Sequence, residues 1–322
     1  MAVIYGSNNW KLSVKRGTEG VTILRALTCD ARAALPDALF GMPVTALGDR
    51  ALAAGASITG GEEIDVIGAP AAGEWDNQAL RELTLSPLLC RAGDYALMNC
   101  RALETIRLTD RPIVWGTGAL MNCRALRHIE ITRSDGSAGD AAAYFSGELS
   151  CELDISVLSD GRRVSRVILP EYYEEYVENS PAHHFDYKVH GAGQPYHHVF
   201  RDRQLRLDAY DALWQKLISG EYEPDTALRL AFWRVCCPEG LGGDAGARYR
   251  QYLAAHADDA LRYALSLRDV SPLCTLLKQL DFTAEVLRAA ADLAREERDT
   301  AAVAVLLEEL HRRAGAEKSF EL

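Results

Sequence analysis

The residues best equipped for chemistry gather in one segment, PEYYEEYVENSPAHHFDYKVHGAGQPYHHVF, from Pro170 to Phe200. It holds five of the eight histidines (His183, His184, His190, His197 and His198) among Tyr172, Tyr173, Tyr176, Tyr187 and Tyr196. Neutral imidazole is a common metal ligand, and a nearby Glu or Asp would complete a coordination sphere. Adjacent histidines in an extended chain point to opposite sides, so His183, His190 and His197 are the set that could share one ion. Their spacing matches no ligand signature such as H-E-x-x-H. The expectation is therefore a joint between two domains, with the aromatic rings packed between them and the polar tips hydrated. A metal site on His183, His190 and His197 is the alternative.

Two other stretches could carry chemistry. Cys236 and Cys237 are adjacent at the end of a helical pattern closed by Pro238, but neighbouring cysteines close a strained ring. Neither has a basic neighbour to lower its pKa, so both are expected to be core residues. The run GLGGDAG, Gly240–Gly246, follows a helical pattern rather than a strand, which denies it the setting of a phosphate-binding turn; a loop is expected. No nucleophile elbow, Walker loop or carboxylate pair in a recognisable setting occurs. The sequence therefore gives no positive reason for an enzyme, and no cofactor is expected.

The elements that hold these residues follow from a repeat. ALMNCRAL occurs at Ala96–Leu103 and again at Ala119–Leu126. Apolar positions recur with a step of 23: Leu80, Leu103, Leu126; Leu83, Ile106, Ile129; Leu85, Leu108, Ile131. Gly93 and Gly116, and Cys100 and Cys123, keep the same step. A fixed period in this range marks a solenoid, in which each unit buries its apolar face only against its neighbours. Each unit opens L-x-x-L-x-L, and the alternation at its end predicts a half-buried strand. The repeat Cys would fill the turn, and the repeat Asn amides would bond unpaired backbone groups between coils.

The phrase LPDALFGMPVTALGDRAL (Leu35–Leu52), followed by GDYALMNCRALETIRL and GTGALMNCRALRHIEI, resembles the BspA-like class of leucine-rich repeat proteins over residues 30–132. That family runs proline-turn, apolar, Gly-Asp, aromatic-Ala-Phe, then Cys before the next Leu. Leu52, Leu97 and Leu120 stand where Phe is usual, and Thr117 where Asp94 stands, which are conservative packing changes. The resemblance implies a leucine-rich repeat β-solenoid, and family members are mostly surface proteins involved in adhesion.

NNWKLSV and GVTILRAL read as two strands around Arg16-Gly17, forming an N-terminal cap. The Gly-rich segment from Gly55 to Ala79 is either a degenerate repeat, with Ile64 and Val66 on its strand, or a protruding loop. ELDISVLSDGRRVSRVILP alternates on both sides of Asp160-Gly161, predicting a hairpin that ends the β portion. From Arg203 onward, apolar residues fall at three-to-four spacing, predicting helices only. Starts are expected at Pro224-Asp225, at Ser271-Pro272, and at Asp281 or Thr283. An echo with a step of 30 links Asp269, Leu273, Leu276 and Leu277 to Asp299, Val303, Leu306 and Leu307, suggesting ankyrin-like paired helices or an irregular bundle. The expected fold class is thus multidomain α and β. A leucine-rich repeat domain with cap and closing hairpin (1–170) precedes an aromatic, His-rich connector (171–202) and an all-α helical-repeat or bundle domain (203–322).

The net charge of −11 lies mainly in the second half: residues 1–150 carry 14 basic and 17 acidic side chains, the remainder 21 and 29. A nucleic-acid partner needs clustered Lys and Arg, which neither half offers. No segment is long and apolar enough to span a bilayer and no export signal is legible, so a cytoplasmic protein with reduced thiols is expected. The surface expected to work is the outward side of the strands, where Glu82, Thr105 and His128 align, then Thr84, Arg107 and Glu130, then Ser86, Thr109 and Thr132. This platform points to a non-enzymatic scaffold that binds an unidentified protein or peptide, with self-assembly into an oligomer as a further possibility. Arg107→Glu is expected to leave folding intact if Arg107 is exposed.

Overall fold

The computed structural model describes the chain except for residues 1, 56, 58–59, 69–72, 134–139, 180–182, 221–222 and 321–322. The chain divides into two compact units, one of Met1–Arg163 with Leu169–Arg206, the other of Val164–Ile168 with Leu207–Leu322.

The first unit is a β-solenoid. Strands β1 (Ala2–Tyr5), β2 (Trp10–Arg16) and β3 (Val21–Leu27) form its cap, and β2 and β3 pair antiparallel as the sequence predicts. Each coil then supplies one rung of a parallel ladder, and the first three add further strand segments. The first coil carries β4 (Arg32–Ala34), β5 (Ala38–Leu39) and β6 (Met42–Leu47); β7 (Glu62–Ile67) lies in the segment that follows. The second coil carries β8 (Glu82–Thr84) and β9 (Arg91–Ala92), and the third β10 (Thr105–Asp110) and β11 (Val114–Trp115). The fourth has β12 (His128–Arg133) and then helix α1 (Ala141–Glu148), and β13 (Leu153–Ser159) opens the last. One ladder runs in parallel through β4, β8, β10, β12 and β13. A second runs through β3, β6, β9 and β11. The step of 23 is realised residue for residue: Leu83, Ile106 and Ile129 lie side by side. They are at most 1% exposed, and each such side chain contributes about 1.5–3 kcal/mol by leaving water.

Backbone contact between coils explains the other repeated residues. A Cβ on Gly93 would lie 2.6 Å from the Asp49 nitrogen, and one on Gly116 2.4 Å from the Asp94 nitrogen, so only glycine lets successive coils approach. Asp49 Oδ1 accepts from the Asp94 backbone N–H at 2.9 Å, and Asp94 Oδ1 from that of Thr117 at 2.8 Å. The repeat thiols bond backward: Cys100 Sγ donates to the Leu52 carbonyl (3.3 Å) and Cys123 Sγ to that of Leu97 (3.2 Å). The Asn residues differ from expectation. Asn99 and Asn122 occupy left-handed backbone (φ 65° and 63°), and their amides bond each other at 2.8 Å rather than the backbone. The backbone-bonding role belongs to Asn77, which stands where later coils have Cys. It accepts from Thr28 N–H and donates to the carbonyls of Ala26 and Leu52.

The segment from Gly55 to Ala79 is not a repeat. Its β7, with Ile64 and Val66 buried, pairs with β1 and β2 and so extends the cap sheet; residues 56, 58–59 and 69–72 lie outside the described part. The Asp160-Gly161 turn is present, both residues having positive φ (50° and 72°), and leads to β14 (Arg162–Leu169). That turn does not end the β portion. A second hairpin, β15 (Tyr173–Asn179) with β16 (His184–His190), follows it; after α2 (Gly193–His197) come β17 (Phe200–Arg201) and β18 (Gln204–Leu205). Within the segment expected to pack its rings between domains, β15 and β16 form a hairpin whose rings are exposed, Tyr176 by 67% and Phe185 by 65%, whereas Tyr196 in α2 is buried.

The second unit is helical: α3 (Leu207–Ala212), α4 (Trp214–Ser219), α5 (Pro224–Cys236), α6 (Gly243–Ala255), α7 (Ala257–Ser266), α8 (Val270–Gln279), α9 (Ala284–Glu296) and α10 (Thr300–Phe320). Pro224 takes the first position of α5, where its missing N–H costs nothing. Thr283 caps α9, but α8 is capped by Asp269, two residues before the expected Ser271. The step-of-30 echo has a backbone cause. Arg268 and Arg298 both hold positive φ (54° and 57°), and Asp269 and Asp299 each accept from the first turn of the following helix. Gly243–Gly246, expected in a loop, forms the first turn of α6. A buried ion pair ties α3, α5 and α6: Arg234 meets both oxygens of Asp211 at 2.8 Å, and Tyr249 Oη donates to Asp211 at 2.9 Å.

Close approach of the coils sets a clear test. Gly116→Ala must push the Asp94 turn aside, and a loss of about 1–3 kcal/mol is expected from chemical denaturation. A change within error would mean that the coils are spaced more widely than described.

Candidate functional site

The candidate face is built by strand alternation. Within β8, β10 and β12 the apolar residues point inward, leaving Glu82, Thr84, Thr105, Arg107, His128 and Glu130 on the outer side. Parallel register aligns Glu82, Thr105 and His128 in one row and Thr84, Arg107 and Glu130 in the next. The rows extend further than the period shows: Arg32 and Asp154 join the first, Ala34 and Ser156 the second. Arg32 escaped the period because the inserted segment separates it by 50 positions from Glu82. Asp154 and Ser156 are each only 7% exposed, so the open face spans β4 to β12. In the third row Thr109 and Thr132 align, but Ser86 is buried and donates to the Val44 carbonyl at 2.8 Å. Its expected place on the face is corrected accordingly.

The charges on this face satisfy one another. Arg32 Nε lies 2.8 Å from Glu82 Oε1, and Arg107 Nη1 lies 2.7 Å from Glu82 Oε2. Arg107 Nε reaches Glu130 Oε1 at 3.3 Å, and His128 Nδ1 reaches Asp154 Oδ2 at 3.4 Å. Cross-strand opposite charges of this kind each contribute a few tenths of a kcal/mol, up to about 1. The face is a preorganised polar surface with alternating charge. It carries neither a nucleophile nor an acid–base pair aimed at a common point.

The three histidines of the alternative site do not converge. His183 Nδ1 meets Glu178 at 2.6 Å, and His190 Nε2 meets Glu175 at 2.9 Å while its ring stacks on Tyr173 with centroids 4.4 Å apart. His197 is buried, with Nδ1 3.0 Å from the Ser146 carbonyl and Nε2 3.0 Å from that of Pro170. Both ring nitrogens are thus engaged by protein oxygens. Among the described residues no group of three or more His, Cys, Asp or Glu could hold a metal ion. Burial pushes the His197 pKa below its usual value, and the two carbonyls, which favour the protonated ring, offset only part of that.

All eight cysteines are free. Burial raises the pKa of Cys100 to about 12 and lifts those of Cys123 and Cys236 as well, which keeps these thiols protonated and unreactive. Cys90 is exposed, and its Sγ donates to the Thr45 carbonyl at 3.2 Å. No described helix is long and apolar enough to cross a membrane.

No protein-family model matches the chain, and neither does any curated protein. Among solved structures, a leucine-rich repeat protein of T. pallidum shares 15% identity at a TM-score of 0.26, covering 47% of this chain and 62% of its own. A leucine-rich cell-surface protein of Faecalibacterium prausnitzii A2-165 shares 20% identity at a TM-score of 0.28, covering 51% and 40% respectively. The chain spans less than two thirds of the length of either protein.

The charge ladder changes the expectation for Arg107, whose side chain is 38% exposed and lies between two carboxylates. Arg107→Glu replaces attraction by like-charge repulsion, so stability is expected to fall by about 1 kcal/mol in a denaturant titration, without unfolding. No change would mean that the pairs are fully screened; complete unfolding would mean that the register is wrong. For His197 the sign follows from linkage. The folded ring binds its proton less readily than the unfolded one, with its pKa of about 6.5, so stability drops as pH falls below that value. His197→Gln is expected to flatten the stability–pH curve below about pH 6.5. An unchanged slope would remove His197 from acid destabilisation.

Proposed function

We propose that the chain is a non-enzymatic scaffold of the BspA-like leucine-rich repeat class, binding a protein or peptide on the ladder face of its solenoid. The contact residues would be Glu82, Thr84, Thr105, Arg107, His128 and Glu130. One observation supports this reading above the others: the parallel register sets these side chains in straight rows, about 4.8 Å apart from strand to strand. Rows fixed by a rigid core lose little entropy on binding, which is why repeat proteins use such faces. The mutual pairing of Glu82, Arg107 and Glu130 holds the side chains in place and favours a polar partner that can exchange those hydrogen bonds. The helical pairs that follow fit the reading as an ankyrin-like array, a second repeat module on the same chain. The metal reading finds no support in the separation of His183, His190 and His197.

Thr105 sits at the centre of the face, half-buried and without a charge to lose. Thr105→Arg should block a partner while keeping the melting temperature of the wild type. Proteins retained from a cell lysate by the immobilised wild type, and lost with Thr105→Arg, would place the binding face on the ladder. Equal capture by both would take the function away from it.

A further inference from the structure

The hairpin of β15 and β16 has no part in the coil stacking. It is held firmly at its base: Tyr172 N–H donates to the Ser150 carbonyl at 2.9 Å, and Gly193 N–H to that of Glu171 at 3.2 Å. A Cβ on Gly193 would fall 1.9 Å from the Pro170 oxygen, so only glycine allows this closure. Beyond the base the strands project as a two-stranded sheet, and among the described residues neither outer edge is paired. Two strands alone bury too little to be stable in water.

Register sorts the side chains. Tyr176 faces Tyr187, Glu178 faces Phe185 and Glu174 faces Val189, so these six share one side. Tyr176 is 67% exposed, Phe185 65% and Tyr187 48%, so aromatic rings adjoin one another on this side and meet water. Carboxylates frame it. β15 carries Glu174, Glu175 and Glu178 and no Lys or Arg. Each of the three bonds a tyrosine hydroxyl or a histidine, Tyr187, His190 and His183 respectively, which fixes its position.

We infer that the outer edge of β15 is a docking site for an extended, lysine- or arginine-rich segment of a partner protein, which adds as a third strand. Backbone bonding to the open edge supplies affinity without regard to sequence, and alternate side chains supply the selection. Cationic residues on one side of the added strand lie beside Glu174 and Glu178, with their charges over the Tyr176 and Tyr187 rings. Charge decides between occupants. A second copy pairing edge to edge would bring three glutamates of one β15 against three of the other. The same carboxylates repel phosphate-bearing surfaces. This surface is separate from the ladder face and stands or falls independently of it.

The test uses the full chain and a fluorescent octapeptide of alternating lysine and valine. Its controls are an alternating glutamate–valine octapeptide and a lysine–valine peptide with N-methylated backbone amides. The wild type is expected to bind the basic peptide, with β15 amides exchanging more slowly in the complex. At least tenfold weaker binding is expected for the double variant Glu174→Gln, Glu178→Gln, for Tyr176→Ser, and for the N-methylated peptide. Gln keeps the acceptor that Tyr187 uses; should a variant nonetheless melt early, the N-methylated peptide on wild type decides the matter. Absence of binding, equal binding of the glutamate peptide, or unchanged affinity of the double variant would overturn the inference. So would sedimentation as a dimer that Tyr176→Ser returns to monomer, which would assign the edge to a second copy.

Discussion

The first unit rests on one constraint: the backbone of each coil must come within hydrogen-bonding distance of the next. Apolar repeats alone would tolerate loose stacking, but the close turns do not. Gly93 and Gly116 leave no room for a methyl group against the preceding Asp, and each Asp in turn ties the following coil through its carboxylate. The thiols of Cys100 and Cys123 cap carbonyls of the coil before. Arg25, buried in the cap sheet, does the same for the first turn, donating to the carbonyls of Arg50 and Ala53. Its burial lowers its pKa, yet a guanidinium remains charged at any ordinary pH and is suited to hold two carbonyls. Leucine packing gives the solenoid its energy, and these polar ties give it its spacing.

That division explains how much of the fold the sequence disclosed. The positions that stack directly, Leu83 on Ile106 on Ile129, keep both apolar character and interval, because a like-sized hole is filled three times. Where only a backbone group must be satisfied, the type is free to change: Asn77 takes the place of the repeat Cys and meets one of the same carbonyls, that of Leu52. Nothing in a comparison of side chains would equate the two. The strand β7 was legible as a strand, since Ile64 and Val66 alternate, but its partners were not. Pairing with β1 and β2 is antiparallel on one side and parallel on the other, and leaves no periodic trace. The fifth rung, β13, was hidden for a related reason: α1 stretches the interval from His128 to Asp154 to 26 residues.

In the Tyr- and His-rich segment the composition obscures the period. Tyr and Glu occur on both faces of the hairpin, so the alternation that marks a half-buried strand is missing. A hairpin exposed on both sides shows no such alternation, and aromatic residues suggest burial unless the register is known. Its histidines looked like ligands on the same compositional ground. In the structure two of them serve carboxylates of the hairpin, and His197 is lodged between two carbonyls at the foot of α2.

The two exposed surfaces of the first unit differ in a way that follows from how each is built. The ladder face belongs to a sheet whose core is complete, so its charges could settle against one another, and Arg32, Glu82, Arg107 and Glu130 form a closed series of opposite signs. Such a surface is selective more than adhesive, since a partner must offer bonds at least as good as those it displaces. The hairpin has no core of its own. Its glutamates bond a tyrosine hydroxyl, a glutamine amide and two imidazoles, and its rings remain in contact with water. Hydrophobic burial and charge neutralisation, already spent within the solenoid face, are both still available on the hairpin. Under the two proposals, a partner that engaged both surfaces would combine discrimination on the ladder with attraction at the hairpin.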